Sequence, residues 1–319
     1  MSFAGSPDRV EARLAPEAGF EFDAFTISGL PRRPGAQLFR ALLQAGRAPV
    51  ACGRIIERRR PNVILGGGGY VAGPMVYAAW RHGIPAALME ADAQLGLANR
   101  LAAPFARRVF LAYAIEGRGA PKYRVTGRPV RRTEPVAPEQ ARRRFGLPET
   151  GPVLLVFGGS QGARALNDAA VEAFGTTGPA VLHLSGARYE HELRDRVARS
   201  DYVLLPWTDD FAAALAASDL VLARAGGSVW EVAAAGKPAV LVPSPNVTAD
   251  HQTKNARYFE QGGGAVGVPE LELGRMPELV RSLLDDEDRR AGMAESMLRL
   301  ARPEAATVIA EELIELVRS

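Results

Sequence analysis

PVLLVFGGSQGARALNDAAVEAF, residues 152–174, sets three signals in order. Val153–Phe157 is a continuous apolar run, as a parallel strand covered on both faces requires. A turn of Gly158, Gly159, Ser160, Gln161 and Gly162 follows, and from Ala163 the composition is helical. The turn therefore opens on a helix N-terminus, where unpaired N–H groups and the positive end of the helix dipole favour an anion, and glycines let a phosphate approach the main chain closely. Neither common phosphate loop fits. A Walker A loop ends in Gly-Lys-Ser/Thr, and the dinucleotide fingerprint needs Gly-x-Gly-x-x-Gly, which Gly158, Gly159 and Gly162 do not make. An ordinary tight strand-to-helix turn has the same letters, so both readings stand.

Outward from this unit the pattern repeats. Apolar runs at 63–65, 86–88, 109–111, 153–157, 180–184, 202–205, 220–222 and 239–242 alternate with helical stretches, the rhythm of βα units and parallel sheets. The Pro/Arg-rich passage TGRPVRRTEPVAPEQ, Thr126–Gln140, separates two such series and reads as an inter-domain linker. The fold class is α/β, with two Rossmann-like halves facing a cleft: 1–132, 133–300, and a last helix at 301–319 expected to pack back on the first half. Ligands of such sheets bind beyond the carboxyl ends of the strands.

Two further strand-to-glycine turns mark where to look. In LVLARAGGSVWEVAAAGKPAVLVP, Leu220–Pro243, Gly226 and Gly227 turn the chain, Ser228 is placed to cap, and Glu231 falls in the first helical turn. That carboxylate reads either as a helix cap or as a bidentate acceptor for a ribose diol. In VILGGGGYVAGP, Val63–Pro74, glycines 66–69 offer a concave nest of main-chain donors or a hinge. Glu90 and Asp92 follow the run at 86–88, where a site residue would sit.

The 319 residues, 47% hydrophobic and 24% charged, suffice for two ordinary globular cores. Cys52 is the single cysteine, which rules out an intrachain disulfide and fits a reducing compartment. No uninterrupted apolar segment of about 18 residues occurs. Charge is uneven: residues 1–133 hold 20 Lys/Arg against 9 Asp/Glu, and the remainder 19 against 27, so +11 stands against −8. The first half is thus expected to meet an anionic membrane surface rather than nucleic acid, for which no motif or aromatic-laced basic stripe exists. Leu38, Phe39, Leu42 and Leu43, with Arg40 and Arg47 nearby, form an interfacial stripe or the inner face of a core helix.

LGGGGYVAGP, GRPVR, GGSQGARALN, RAGGSVWEVAAAGKPAVLVP and DHQTKNA occur in the order and approximate spacing of the MurG family, which the whole chain resembles. The resemblance implies the GT-B glycosyltransferase architecture. It also implies inverting transfer of N-acetylglucosamine from UDP-GlcNAc to the 4-hydroxyl of the muramyl unit of undecaprenyl-diphosphate-muramyl-pentapeptide, which is lipid I to lipid II in peptidoglycan synthesis. A peripheral position on the cytoplasmic face of the cell membrane follows, and neither cofactor nor metal is expected. By the family's motifs, Ser160, Gln161 and Gly162 face the donor diphosphate, Glu231 holds the ribose, Gln252 recognises sugar hydroxyls, Arg131 stands at the domain junction, and Thr208 makes a backbone contact to uracil. Asp92, Gly227, Ser228 and Val229 complete the donor site, and Gly68, Gly69 and Tyr70 the acceptor-side loop.

The chain also departs from the family. MSFAGSPDRVEARLAPEAGFEFDAFTISGL resembles the family from its second strand onward, so one strand–helix unit, with a Gly-Gly-Thr-Gly-Gly-His loop carrying the family's candidate base, is read as missing. MEAD at 89–92 replaces His-Glu-Gln-Asn, and the loop from Gly226 to Glu231 reads one residue short. Weak candidates for the base are Glu90, Asp92 and His251; His82, His183 and His191 read as structural or solvent-facing. Glu90-Ala91-Asp92 also imitates an acidic-x-acidic manganese signature, which main-chain donors for the diphosphate make unnecessary. The alternatives are a catalytically degenerate UDP-sugar-binding protein and a GT-B transferase with a different lipid acceptor.

Overall fold

The computed structural model describes residues 1–29, 35–131, 134–159, 161–247 and 250–318, with the backbone alone for 36–42. It comprises two compact units, Met1–Thr126 with Ala306–Ser319, and Gly127–Ala305. The second unit thus starts at Gly127, inside the passage read as a linker, and that passage ends in a helix, Pro138–Phe145. Gly127 belongs to the second unit for a packing reason. Its φ is +81°, and a Cβ there would stand 2.3 Å from the Cβ of Arg302 and 3.5 Å from the Trp230 ring.

Within the first unit, β1 (Ser2–Gly5) pairs in parallel with β2 (Glu21–Ala24). A second sheet has the order β3 (Ile64–Gly66), β4 (Ala86–Glu90), β5 (Arg108–Leu111), β6 (Tyr123–Val125), all parallel. The helix Ala36–Arg59 buries Ala48, Cys52, Ile55 and Ile56 with Val76, Leu88 and Val109, so its second half is a core helix. Leu38, Phe39 and Leu42 fall outside the described side chains, and Leu43 is exposed. The opposite face of β4 and β5, at Ala87 and Phe110, is covered by Ile309 and Leu316 of the helix Ala305–Arg318. Arg108 donates to Glu312 at 3.1 Å, and Arg124 pairs with it at 3.3 Å, which fixes that helix across the sheet.

In the second unit one parallel sheet has the order β12 (Ala265–Gly267), β11 (Ala239–Leu241), β10 (Leu220–Ala223), β7 (Val153–Phe157), β8 (Ala180–Leu184), β9 (Tyr202–Leu205). β7, β8, β10 and β11 are buried at every residue, as continuous apolar runs require when helices cover both faces. Successive strands run outward from β7 to β9, and the chain then returns to β10 on the other side of β7. The topological switch point therefore lies between β7 and β10, which pair Leu155 with Val221 and Phe157 with Ala223.

Candidate active site

The switch point sets two glycine turns side by side, one leaving β7 and one leaving β10. In the first, Gly158 has no room for a side chain, because a Cβ would lie 2.5 Å from the backbone nitrogen of Ala163. Gly159 and Gly162 take φ of +86° and +70°. A Cβ on Gly162 would stand 2.1 Å from the carbonyl oxygen of Ser185, at the end of β8, and Gly186 in turn abuts the backbone of Gln161 and Gly162. The turn is thus clamped against the exit of the neighbouring strand before the helix Arg164–Phe174 begins. Gln161 is exposed beside it, and Ser160 lies outside the described residues.

A buried polar chain lies beneath this clamp. The Asn167 amide donates to Ser185 O at 2.8 Å, which turns its carbonyl toward His183 Nε2 at 3.1 Å; His183 Nδ1 is 2.8 Å from the Tyr202 hydroxyl. Only one set of protons satisfies all three contacts. Nε2 carries hydrogen and donates to Asn167, and the Tyr202 hydroxyl donates to Nδ1. Burial holds His183 neutral, with its pKa depressed to about 3. Sequence reading found His183 in a strand but not this chain, because its partners are 16 and 19 residues away.

At the second turn Gly226, Gly227 and Ser228 are partly buried, and the helix Val229–Ala234 places Glu231 in its first turn. Ser228 does not serve as the cap expected of it: its φ is −65° and ψ −11°, already helical, and its side chain accepts no capping bond. The residue that sequence reading missed is Arg128. Its guanidinium lies against Gly227, with Nη1 2.1 Å, Cζ 2.3 Å and Nη2 2.8 Å from where a Cβ would stand. Glu231 is half-buried; desolvation raises its pKa above the usual glutamate range, and the charge of Arg128 acts in the opposite direction. Arg131, the arginine singled out from GRPVR, is exposed.

Two more predicted residues, Thr208 and Gln252, follow strands of the same sheet. Thr208 follows β9, its Oγ accepting from Asp210 N–H at 3.2 Å, and Asp210 caps the helix Phe211–Ala217 through Ala213 N–H at 3.0 Å. The Trp207 indole beside it is 62% exposed. Gln252, in the helix His251–Gln261, accepts from Ser244 N–H at 2.8 Å, which secures the chain after β11 and orients the amide NH2 end. The residue before that helix, Asp250, is left-handed at φ 52° and ψ 35° and accepts from Thr253 Oγ at 2.6 Å.

In the first unit the turn after β3 carries Gly68 at φ +95° and Gly69 at φ +69° into the helix Gly69–Arg81. Gly67 and Gly69 have open space where a Cβ would be. The Tyr70 hydroxyl accepts from Arg9 Nε at 2.9 Å. Glu90 is buried, and its carboxylate accepts from Gly96 N–H at 2.8 Å, from the Asn99 amide at 2.9 Å and from Asp92 N–H at 3.3 Å. Such a carboxylate organises the loop 92–99, with three of its acceptor sites engaged by donors of that loop. Asp92 and His251 are partly buried.

The family-28 glycosyltransferase models match this chain, the N-terminal domain over residues 2–111 and the C-terminal domain over 153–312. UDP-N-acetylglucosamine--N-acetylmuramyl-(pentapeptide) pyrophosphoryl-undecaprenol N-acetylglucosamine transferase of Salinibacter ruber is 40% identical over 98% of this chain and 88% of its own length. The enzyme of the same name from Halothermothrix orenii is 34% identical over 96% and 88%. The crystal structure of MurG from Acinetobacter baumannii superposes with a TM-score of 0.77 at 25% identity, covering 98% of this chain and 90% of that one. A UDP-GlcNAc 2-epimerase from Neisseria meningitidis, bound to UDP-GlcNAc, shares the fold at 14% identity and a TM-score of 0.64. The glycine turns at the switch point thus belong to a GT-B glycosyltransferase of family 28, and the chain is a member of the MurG family of N-acetylglucosamine transferases.

Proposed function

We propose that this chain transfers N-acetylglucosamine from UDP-GlcNAc to the 4-hydroxyl of the muramyl unit of undecaprenyl-diphosphate-muramyl-pentapeptide, with inversion at the anomeric carbon. The observation that carries the reading is the meeting of the two glycine turns, Gly158–Gly162 and Gly226–Ser228, at the switch point of the second unit's sheet. A nucleoside diphosphate suits that place. The first turn leads into the N-terminus of an 11-residue helix, the natural seat for the diphosphate, and Ser160 belongs to the same turn. Glu231 accepts both hydroxyls of the ribose diol. The amide of Gln252 donates to sugar hydroxyls, and Trp207 with the backbone of Thr208 receives the uracil.

As the glycosidic bond breaks, negative charge grows on the departing diphosphate. Main-chain N–H groups already fixed by the Gly162–Ser185 clamp stabilise it without reorganising. Arg131 supplies further positive charge at this step. The attacking hydroxyl needs a proton acceptor, and with Glu90 engaged, Asp92 and His251 are the groups to substitute.

The acceptor carries a lipid, and the first unit offers a membrane-facing surface. Trp80, Leu97 and Leu101 are exposed on the helices Gly69–Arg81 and Leu97–Ala102, with the Trp80 ring tilted against Tyr77 and Phe105 at ring distances of 5.8 and 5.2 Å. Arg81 and Arg100 flank it, both exposed. Among the described residues no helix is long and apolar enough to cross a membrane, and this patch serves peripheral attachment to an anionic leaflet on the cytoplasmic side.

Calorimetry with UDP-GlcNAc tests the donor assignment. Glu231→Ala is expected to weaken binding by about 1–3 kcal/mol through loss of the diol's acceptor, and Gln252→Ala to weaken UDP-GlcNAc while leaving UDP unchanged. Equal affinities in wild type and Glu231→Ala would return Glu231 to a helix-capping role.

A further inference from the structure

We propose that Arg128 is a positioning residue of the donor site: seated on Gly227, its guanidinium sets a fixed positive charge at the turn that leads into Glu231, the acceptor of the ribose diol. The inference rests on the donor reading above. Three observations converge on it. Gly127 is pinned between Arg302 and Trp230, so the start of Arg128 is fixed by backbone packing. Gly227 is the one residue type that leaves the guanidinium room, since any Cβ would overlap Nη1 and Cζ. Gly227 also lies four residues before Glu231, the carboxyl on which the charge of Arg128 acts.

The surrounding charges do not duplicate Arg128. Arg302 donates to the carbonyls of Arg299 and Ala301 at 3.1 Å. Arg224, at the end of β10, bonds Glu270 and the carbonyls of Val242 and Pro243. The helix His251–Gln261, packed on Val229–Ala234 through Trp230 with Tyr258 and Phe259, carries His251, Lys254, Arg257 and Glu260. Among the described residues, Arg128 is the charge that acts on the Glu231 carboxyl, and it opposes the effect of burial. The consequence is a sign for the pH dependence. Burial favours the neutral acid and Arg128 the carboxylate, so donor affinity falls on acidification as Glu231 takes up a proton, and falls at a higher pH once the guanidinium is gone.

The test is calorimetric titration of UDP-GlcNAc from pH 4.5 to 8 with wild type, Arg128→Asn, Arg128→Lys and Glu231→Gln. UDP-GlcNAc is the probe because its diphosphate is a diester without the terminal phosphate ionisation of UDP. Arg128→Asn is expected to move the acid midpoint of affinity upward by about half to one pH unit, while Arg128→Lys, which keeps the charge, stays near wild type. Glu231→Gln is expected to abolish the midpoint. A ligand-free measurement stands beside this: the carboxyl carbon resonance of Glu231, assigned by its loss in Glu231→Gln, is expected to titrate at higher pH in Arg128→Asn than in wild type. Wild type that binds UDP-GlcNAc, with the same midpoint and the same Glu231 titration in Arg128→Asn, would overturn the role of Arg128 and leave the donor reading intact. Failure of wild type to bind UDP-GlcNAc at any pH would overturn both.

Discussion

The chain makes the same motif three times, a strand running into a glycine turn and a helix, and two of these turns, one in each unit, are built differently. At Gly158–Gly162 packing demands two of the glycines: Ala163 crowds Gly158, Ser185 crowds Gly162, and the chain Tyr202–His183–Asn167 holds Ser185 in place, while Gly159 is kept by its left-handed φ of +86°. At Gly66–Gly69 only the first and third glycines meet close neighbours. Gly66 lies against Ala72 and Leu88, and Gly68 against the Met89 carbonyl, whereas Gly67 and Gly69 face open space. A glycine that faces nothing has been kept for its conformation or for what approaches from outside. One turn is a finished receptor; the other is a surface awaiting its ligand.

Substitutions that insert a methyl group separate the two most sharply. Gly162→Ala is expected to destabilise the protein by about 3 kcal/mol or more, from the overlap with Ser185 and the left-handed backbone together, and to abolish UDP-GlcNAc binding. Urea midpoints and calorimetry check both, and a variant of wild-type stability would mean that the clamp on Ser185 is loose.

The polar chain beneath Gly158–Gly162 gives the next effect, a dependence on pH. His183 is neutral in the folded state and titrates near 6.5 when unfolded, so its contribution is complete above that value and is lost as pH falls toward its folded pKa of about 3. Between about pH 6 and 4.5, where the salt-bridged Asp23 and Asp201 stay ionised, His183 contributes a slope of about 1.4 kcal/mol per pH unit. Urea unfolding at several pH values is expected to show that slope in wild type and a flatter one in His183→Gln. Parallel slopes would place a proton elsewhere in the chain Tyr202–His183–Asn167.

Smaller effects are expected in the first unit. Trp80→Ala with Leu101→Ser should lower flotation with anionic vesicles several-fold and leave UDP-GlcNAc affinity untouched; the remaining attachment should weaken with salt, since charge attraction is screened over about 10 Å at 0.1 M. Binding unaltered by the double change would move the membrane contact to another face. Gly67→Ala, with space for its methyl, is expected to change stability by no more than about 0.5 kcal/mol. Any loss of transfer in that variant then reports on the acceptor, not on folding.

The sequence made the long strands legible because each is a run that only a doubly covered parallel strand explains. The edges were not. Glu21–Ala24, Tyr123–Val125 and Ala265–Gly267 are three or four residues long, with a charged or glycine residue in each, and their pairing comes from neighbours rather than from their own letters. At the candidate site, the glycine turns and Glu231 stood out because strand, turn and helix are contiguous. Arg128 did not, for two arginines lie three residues apart in GRPVR, and what distinguishes them is the missing Cβ of a glycine 99 positions later in the chain. The family motif drew the eye to Arg131, which the fold leaves in solvent.

The helix Ala305–Arg318 completes the core of the first unit, covering Ala87 and Phe110, although every residue of the second unit is synthesised before it. During translation the second unit therefore has all its own segments available while β4 and β5 still present one apolar face uncovered. The order of birth is the reverse of the order of completion, and the sheet that is made first must wait longest for its lid. A nascent chain that ends at residue 305 and is held on the ribosome by a linker long enough to clear the exit tunnel should thus bind a holdase through its first unit and not through its second.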